Sequence, residues 1–364
     1  MKAKTSLNSR LNVEFPVFAF SHCRDVVAAV SSAGGFGVLG AASFSPEDLE
    51  RELTLLDEQC GGKPYGVDLV FPVKYKGDDT EELLAMIPEE HKSFVRGLEE
   101  QFGIPPRQSV DTSSVVRGHE RSREQWLVAL EHPIKLLASA LGPAPADVQQ
   151  TAHERGILTA GLVGELKHAE RHITAGTDVL IAQGAEAGGH CGEIGTMVLV
   201  PQIVDLVYPT PVLAAGGIGT GRQVAAALAL GAEGVWMGSL WLTTVESDLH
   251  PILKRKLIEA TSRDTVRSKC RTGKMVRQLR TPWVEAWEAA GAPTPLQAPL
   301  QQLLVRDATI SAIEHGVEAA LGTPVGQIVG LVDGERTVQS VMQELVTGFV
   351  ESVSRLNELI NHEN

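Results

Sequence analysis

The chain has 364 residues, of which 43% are apolar and 21% charged, as in globular proteins that bury a large core. A net charge of −13 at pH 7 and a pI of about 5.4 disfavour binding to nucleic acid or to an anionic membrane surface. The four cysteines lack metal-ligand or redox spacing, which indicates free thiols in a reducing compartment and no metal site. Because the sequence shows no signal peptide and no apolar span of membrane length, we expect a cytoplasmic protein.

Short apolar runs alternate with helical patterns along much of the chain. The eight runs predicted to be strands are 15–20, 35–41, 64–72, 134–142, 156–164, 178–184, 211–219 and 234–240. The helix after the second run has Ser45 as its expected N-cap and Pro46 in its first turn. Near-continuous apolar strands separated by helices are typical of parallel sheets covered on both faces. Eight such units predict a (β/α)8 barrel of the TIM type, with a doubly wound open sheet as the alternative.

Two segments fall outside the eight units. The predicted domains are a barrel over 1–246, with an insertion at about 73–132, and a mostly helical C-terminal segment over 247–364. Because barrel sites lie at the C-terminal ends of the strands, both extra segments are expected to form a smaller, mostly helical lid domain over that rim. Between positions 254 and 280, ten Lys/Arg stand against two carboxylates. This basic segment is either a solvated helical face or a surface for an anionic cofactor or partner.

Glycines surround the junction between the seventh predicted strand and the next helix. They are Gly216, Gly217, Gly219 and Gly221. Backbone amides in such a turn, with the positive end of a helix, can hold a phosphate without a side chain. Gly238 and the Ser239 hydroxyl follow the eighth strand, and the loops after strands seven and eight form the usual phosphate site of this barrel. The alternative interpretation is a pair of tight turns.

The stretch AQGAEAGGHCGEIGTM, 182–197, follows the sixth strand and contains five glycines around His190. A neutral imidazole in this open loop can take a proton from carbon or orient an anion. The amide of Gln183 suits the edge of a heterocycle. Glu186 and Glu193 are expected to be loop and cap residues in preference to acid–base partners.

Other strand ends are expected at the same rim. The first strand ends in FAFSHC, which brings the backbone of Ala19 and Phe20 and the side chain of His22 to the mouth. Asp68 ends the third strand, where it either faces the site or caps a loop.

These motifs together resemble the nitronate monooxygenase family, formerly called 2-nitropropane dioxygenases. The similarity is carried by AAVSSAGGFGVLGAASFSPEDL, AQGAEAGGHCGEIGTMVLVPQIV, PVLAAGGIGTG and GAEGVWMGS, and more weakly by GTPVGQIVGLV at 322–332. It covers most of 15–72 and 134–246. Members of the family are FMN-dependent (β/α)8 barrels with a small second domain, and FMN-containing enoyl-acyl-carrier-protein reductases share the signature.

The resemblance implies that FMN lies across the barrel mouth and that His190 is the catalytic base. The implied cofactor-binding residues are Ala19, Phe20, Asp68, Gln183, Gly188, Gly189, Gly216, Gly217, Ile218, Met237, Gly238 and Ser239. The chain departs from the family pattern with FSHC in place of a Pro-Met turn and with Ser239 where Thr is frequent. Many members also carry Asn where Asp68 stands, and a carboxylate there would oppose an anionic reduced flavin unless it is protonated or turned away.

The activity implied by the resemblance is oxidation of alkyl nitronates with O2, with release of nitrite, after His190 has removed the α-proton of any neutral nitroalkane. The first alternative is an NAD(P)H-dependent FMN reductase of quinones or enoyl thioesters, which the basic segment suits. An IMP dehydrogenase shares only the phosphate half and needs a cysteine loop that Cys191 does not match. A catalytically idle binding protein would have no need of His190. The expected partners are a small-molecule substrate and O2, with NAD(P)H left open and no oligomeric state predicted.

Overall fold

The computed structural model describes residues 5–71, 80–107 and 118–361. Within these residues, eight parallel strands close into a barrel in the order β1-β2-β3-β4-β5-β6-β8-β9, and β10-β11-β7 form a separate sheet. The strands are β1 (Val17–Ser21), β2 (Phe36–Gly40), β3 (Tyr65–Val70), β4 (Leu136–Ala140), β5 (Leu158–Val163), β6 (Val179–Gln183), β7 (Gly189–His190), β8 (Val212–Ala215), β9 (Gly234–Met237), β10 (Thr265–Ser268) and β11 (Val276–Leu279). The predicted (β/α)8 barrel is confirmed.

Successive side chains of each strand point to opposite sides of the barrel wall, which divides the core into an inner and an outer layer. Phe18 pairs with Phe36 on one side and with Trp236 on the other, which closes the barrel between β9 and β1. All three side chains belong to the cluster that fills the lumen, whereas Val17 and Ala19 pack against the helices outside. Because both faces are buried, the strands are apolar at nearly every position, which is the pattern that predicted them.

Helices surround the barrel and build the extra segments. They are α1 (Ser6–Leu11), α2 (Arg24–Ser32), α3 (Pro46–Cys60), α4 (Thr80–Ala85), α5 (Glu89–Phe102), α6 (Gly118–Leu130), α7 (Ala146–Glu154), α8 (Leu166–Ala175), α9 (Thr196–Val207), α10 (Gly221–Ala229), α11 (Pro251–Glu259), α12 (Pro282–Glu288), α13 (Leu300–Glu314) and α14 (Val338–Asn361). Helix α3 begins where the sequence predicts: the Ser45 hydroxyl accepts from the Asp48 amide, and Pro46 occupies the first turn.

The insertion between β3 and β4 has two parts. Helix α6 packs on α3 and β3 and buries Trp126, so it is the barrel's own helix between these strands. Helix α5 packs on α13 instead, where Val95 and Leu98 join Trp283 and Trp287 in one apolar cluster. The insertion and the C-terminal segment therefore share a core outside the barrel.

The last helix completes the barrel wall. Helix α14 packs along α10 and α2, in the place of a helix following the eighth barrel strand. Gly221 permits this approach, because a Cβ there would lie 2.3 Å from the amide nitrogen of Phe349 and 2.4 Å from the carbonyl oxygen of Leu345. Gly221, predicted to be part of a phosphate loop, thus serves helix packing.

Across the described ranges 5–71, 80–107 and 118–361, none of the helices combines the length and apolarity that crossing a bilayer requires.

Candidate active site

The C-terminal ends of the strands bring the predicted site residues to one rim. Phe20 stands near the end of β1, with its ring stacked 6.1 Å from that of Trp236 on β9. Gln183 ends β6, which pairs with β8, so the glycine loops that follow these two strands are adjacent. The side chains of Ala19 and Met237 are buried in the outer helix layer, and only their backbone can reach a ligand in the mouth.

His190 lies on a strand that the sequence does not reveal. It pairs antiparallel with Val276 of β11, and Gly189 pairs with Arg277. The sheet β10-β11-β7 therefore fixes the loop after β6 to the C-terminal segment. The basic segment is α-helical only at its start, in α11, and continues through a short 3-10 helix, Ser262–Asp264, into the β10–β11 hairpin. A strand of two residues is too short to show the alternation of apolar and polar side chains that reveals a strand. For this reason the sequence alone predicts an open loop around His190.

The imidazole of His190 contacts the hairpin tip. Its Nε2 lies 3.0 Å from Oγ1 of Thr272, a residue that no sequence signal singled out. The same hydroxyl donates toward the carbonyl oxygen of Lys274 at 3.4 Å. We assign the tautomer from this arrangement: Nε2–H donates to Thr272, and Nδ1 keeps its lone pair.

The electrostatic surroundings keep His190 neutral. Although the residue is exposed in the mouth, the protein around the ring lowers its pKa to about 4, first by desolvation and then through the positive charges of Lys274 and Arg271. The direction of the shift is what matters chemically, because it leaves an unprotonated ring nitrogen at pH 7. A neutral imidazole can act as a general base.

The two carboxylates near His190 are structural. Glu186 accepts from the backbone amide of Thr196 at 2.9 Å and from its hydroxyl at 2.9 Å, and so caps α9. Glu193 is exposed and lies 3.6 Å from Arg267. Both make the cap and loop contacts that the sequence predicts.

The loop after β8 forms part of the predicted phosphate cradle. Gly216 and Gly217 have φ values of +93° and +72°, which favour glycine. The Gln223 side chain accepts from the Gly219 amide at 2.9 Å and donates to the Gly217 carbonyl at 2.6 Å. The amide of Gly219 is thereby hydrogen-bonded within the protein and is not available to a phosphate. The backbone amides of Gly217 and Ile218 have no acceptor among the described residues. The cradle therefore offers fewer free amides to a phosphate than the run of four glycines suggests.

The C-terminal motif at 322–332 packs directly on the other glycines. The Ser239 hydroxyl oxygen accepts from the Gly326 amide at 2.8 Å and keeps its own proton for donation. A Cβ at Gly188 would lie 2.7 Å from the amide nitrogen of Gly326. Gly188 therefore allows close chain packing at the rim. Gly238 has more room, since a Cβ there would be 3.7 Å from the Phe20 ring.

Asp68 faces the lumen at the rim. It pairs in register with Gly40 and Ala138, and Ala138 belongs to the inner cluster. Its side chain is 5% exposed, and burial raises its pKa to about 7, while a hydrogen bond from the Ala140 backbone opposes the shift. Within the part of the chain that the structure describes, no cation pairs with it. At neutral pH a substantial fraction of the carboxyl is therefore protonated.

His22 joins the same rim. Its Nδ1 lies 2.7 Å from the Gly40 carbonyl oxygen and must carry the proton, because a carbonyl only accepts. Its ring meets Phe20 edge-on at 5.1 Å.

Comparison of the sequence with known proteins identifies close relatives. The sequence model of the nitronate monooxygenase family matches residues 5–348. A putative monooxygenase of Mycobacterium tuberculosis is 50% identical over 372 aligned positions, and the alignment covers 98% of this chain and 99% of that protein. A probable nitronate monooxygenase of Staphylococcus saprophyticus is 34% identical over 303 residues, covering 78% of this chain and 81% of that protein.

Solved structures share the whole architecture. FabK from Thermotoga maritima has 28% sequence identity and a TM-score of 0.75, covering 98% of this chain and 99% of that one. A nitroalkane oxidase from Streptomyces ansochromogenes superposes with a TM-score of 0.83 at 24% identity, covering 97% and 100% of the two chains, a likeness of fold.

Proposed function

The chain belongs to the nitronate monooxygenase family and is an oxidoreductase, and from this premise we propose that it oxidises alkyl nitronates with O2 at a bound FMN. The observation that carries the proposal is a neutral His190 on the same rim as the glycine loops after β8 and β9. A base and a phosphate cradle on one barrel mouth suit a cofactor that lies between them.

The residues of the rim fit FMN. The amides of Gly217 and Ile218 are available to a phosphate, and a Cβ at Gly217 would lie 3.3 Å from Cβ of Glu186 in a strained backbone conformation. Gln183 and the backbone near Phe20 would hold the ring system. Among the described residues, the two available amides provide for a single phosphate group, which favours FMN over FAD. When bound, FMN supplies the redox chemistry, and the protein supplies position and proton handling.

The chain's own groups handle the proton and the charge. Nδ1 of His190 would accept the α-proton of a neutral nitroalkane, while Thr272 holds the ring through Nε2. A nitronate is already deprotonated and would need only to be bound. The positive charge of Lys274, which acts on His190, favours an anionic substrate at this position. In the overall balance, two nitronate anions and one O2 would give two carbonyl compounds and two nitrite ions.

A second candidate is an NAD(P)H-dependent reductase of quinones or enoyl thioesters. The observation that favours it is the basic hairpin beside the loop after β6: Arg277 donates to the Ala185 carbonyl oxygen at 2.9 Å, and Arg267 lies beside Glu193. Pyridine nucleotides and acyl carriers are anionic, so this surface would attract them. The 28% sequence identity to FabK is consistent with this second candidate function.

One experiment separates the two functions. The purified protein should show a flavin absorption spectrum, and heat should release FMN. Oxygen uptake with propionate 3-nitronate is then measured beside NADH oxidation with a quinone, on the wild type and on His190→Asn. Nitronate-dependent oxygen uptake supports the proposal. Steady NADH oxidation without nitronate turnover would establish the reductase, and release of FAD would refute the FMN assignment.

A further inference from the structure

A small cavity lies outside the barrel, between the tip of the β10–β11 hairpin and helices α12 and α13. Its volume of about 20 Å³ holds a single water-sized or chloride-sized occupant. Its polar lining comprises Cys270, Arg271, Gln278, Thr281, Thr309 and the backbone at Gly322, with apolar groups of α12 and α13 around them. None of the residues that line the cavity belongs to the glycine loops after β8 and β9 or to the loop that carries His190.

Arg271 brings a positive charge into this cavity without a carboxylate. Its Nη1 donates to the Gly322 carbonyl oxygen at 3.2 Å. Among the described residues no Asp or Glu forms an ion pair with it. A guanidinium has five N–H donors, so one carbonyl leaves most of them to be satisfied by other groups. Arg271 is only partly exposed, and burial lowers the pKa of its guanidinium.

The neighbouring acidic groups do not neutralise this charge. Burial raises the pKa of the Cys270 thiol, which therefore stays protonated at neutral pH. Glu288, whose charge acts on Cys270, accepts from the Ser268 hydroxyl. A buried charge is costly unless it is paired and hydrogen-bonded. A water molecule would accept hydrogen bonds from the guanidinium but would leave the charge unpaired, whereas an anion does both.

We propose that this cavity is a binding site for one small monovalent inorganic anion of the size of chloride, held by the Arg271 guanidinium. The hydroxyls of Thr281 and Thr309 line the same space and can donate to the anion.

The site lies at the base of the loop that carries Thr272. The other side of this loop is fixed by packing: Gln301 Nε2 donates to the Cys270 carbonyl oxygen at 2.8 Å, and Gly273 fits closely against the backbone at Ala298. The anion supplies the remaining anchor. Its occupancy therefore stabilises the hairpin tip that contacts His190.

The first test measures thermal unfolding of the wild-type protein at constant ionic strength while sodium gluconate, whose anion is too large, is replaced by sodium chloride or bromide. We expect the midpoint to rise with the logarithm of the halide concentration, by about 2–4 °C for each tenfold increase above half-saturation. Arg271→Met should abolish the rise. Arg280→Met is the matched control, because Arg280 belongs to the same basic segment and is exposed; it should keep the rise. Equal midpoints in gluconate and chloride, or an unchanged halide effect in Arg271→Met, would overturn the proposal.

The second test does not depend on any variant folding. Crystals of the wild-type protein grown in sodium bromide should show an anomalous scattering peak in the cavity, within hydrogen-bond distance of Arg271. Only water density at that position would overturn the proposal. Both readouts are independent of turnover and of flavin content, so their outcome is separate from that of the proposed function.

Discussion

Nε2 of His190 lies 3.0 Å from the hydroxyl oxygen of Thr272, a residue 82 positions later in the chain. The contact joins the loop after β6 to the hairpin whose strand β11 pairs with β7. Because Nε2–H donates to Thr272, the proposed function would leave Nδ1 to accept the substrate proton. On that proposal Thr272 would be a positioning residue that acts through His190.

Removing the hydroxyl should therefore impair the base without removing the cofactor. We expect Thr272→Val to lower kcat for a neutral nitroalkane by roughly 10- to 10²-fold, because the ring loses its fixed orientation. KM and FMN content should change little. Thr272→Ser keeps the hydroxyl and should restore most of the rate. Failure of the serine variant to rescue, or an equal loss with a preformed nitronate, would show that Thr272 has only a packing role.

Replacing the base itself gives a larger and more selective effect. His190→Asn keeps a polar group, so FMN content should hold, while turnover of a neutral nitroalkane should fall by about 10²–10⁴. Turnover of the preformed nitronate should suffer less, since its α-proton is already gone. The wild-type rate with the nitroalkane should also decline as pH falls through about 4, where the imidazole becomes protonated. Unchanged rates with full FMN would return His190 to a structural role.

The sequence predicts the barrel and its rim because those features are local. Strand β6, VLIAQ, carries its own apolar run, and Gln183 and His190 follow it directly. The partner of His190 could not be predicted in this way, because Thr272 reaches it through a hairpin that pairs with a two-residue strand. Long-range pairings of this kind leave no periodicity in either segment.

The glycines show the same limit of prediction from the sequence alone. Gly217 and Gly221 belong to one motif, and the motif alone assigns both to a phosphate loop. In the structure Gly217 has a positive φ at the rim, whereas Gly221 admits α14, which lies more than a hundred residues away in the sequence. Similarly, Arg271 and Lys274 were predicted only as parts of a basic segment. Their electrostatic effect on His190 follows from the hairpin fold.

The cradle is tested at Gly217. Gly217→Val places a branched side chain at a φ of +72°, next to Glu186, where the phosphate of FMN is proposed to approach. We expect loss of FMN with the barrel still folded, measured as flavin absorbance per protein and far-ultraviolet circular dichroism. Gly62→Val is the matched control, because Gly62 has a φ of +85° and open space around it; it should suffer the same strain and keep its flavin. Full FMN occupancy in Gly217→Val would place the phosphate elsewhere.

Asp68 gives a pH-dependent prediction. Burial raises the pKa of Asp68 in the folded protein to about 7, above its ordinary value of 3.8, so the folded protein holds a proton that the unfolded chain releases. Its contribution to the free energy of unfolding is therefore fully present below about pH 4 and is lost as pH rises towards 7, by about 1.4 kcal/mol for each unit of pKa difference at most. Asp68→Asn removes this titration. The wild type, relative to the variant, should lose stability between pH 4 and 7.

The same titration should govern cofactor affinity if Asp68 faces the flavin, as the family resemblance implies. A protonated carboxyl can donate a hydrogen bond as the Asn of many family members does, whereas the carboxylate that forms above pH 7 cannot. We expect the dissociation constant for FMN, measured by flavin fluorescence from pH 5.5 to 8.5, to rise with pH in the wild type and to stay nearly flat in Asp68→Asn. Parallel curves for the two proteins would mean that Asp68 does not contact the cofactor, and the stability difference between pH 4 and 7 would then report only its burial.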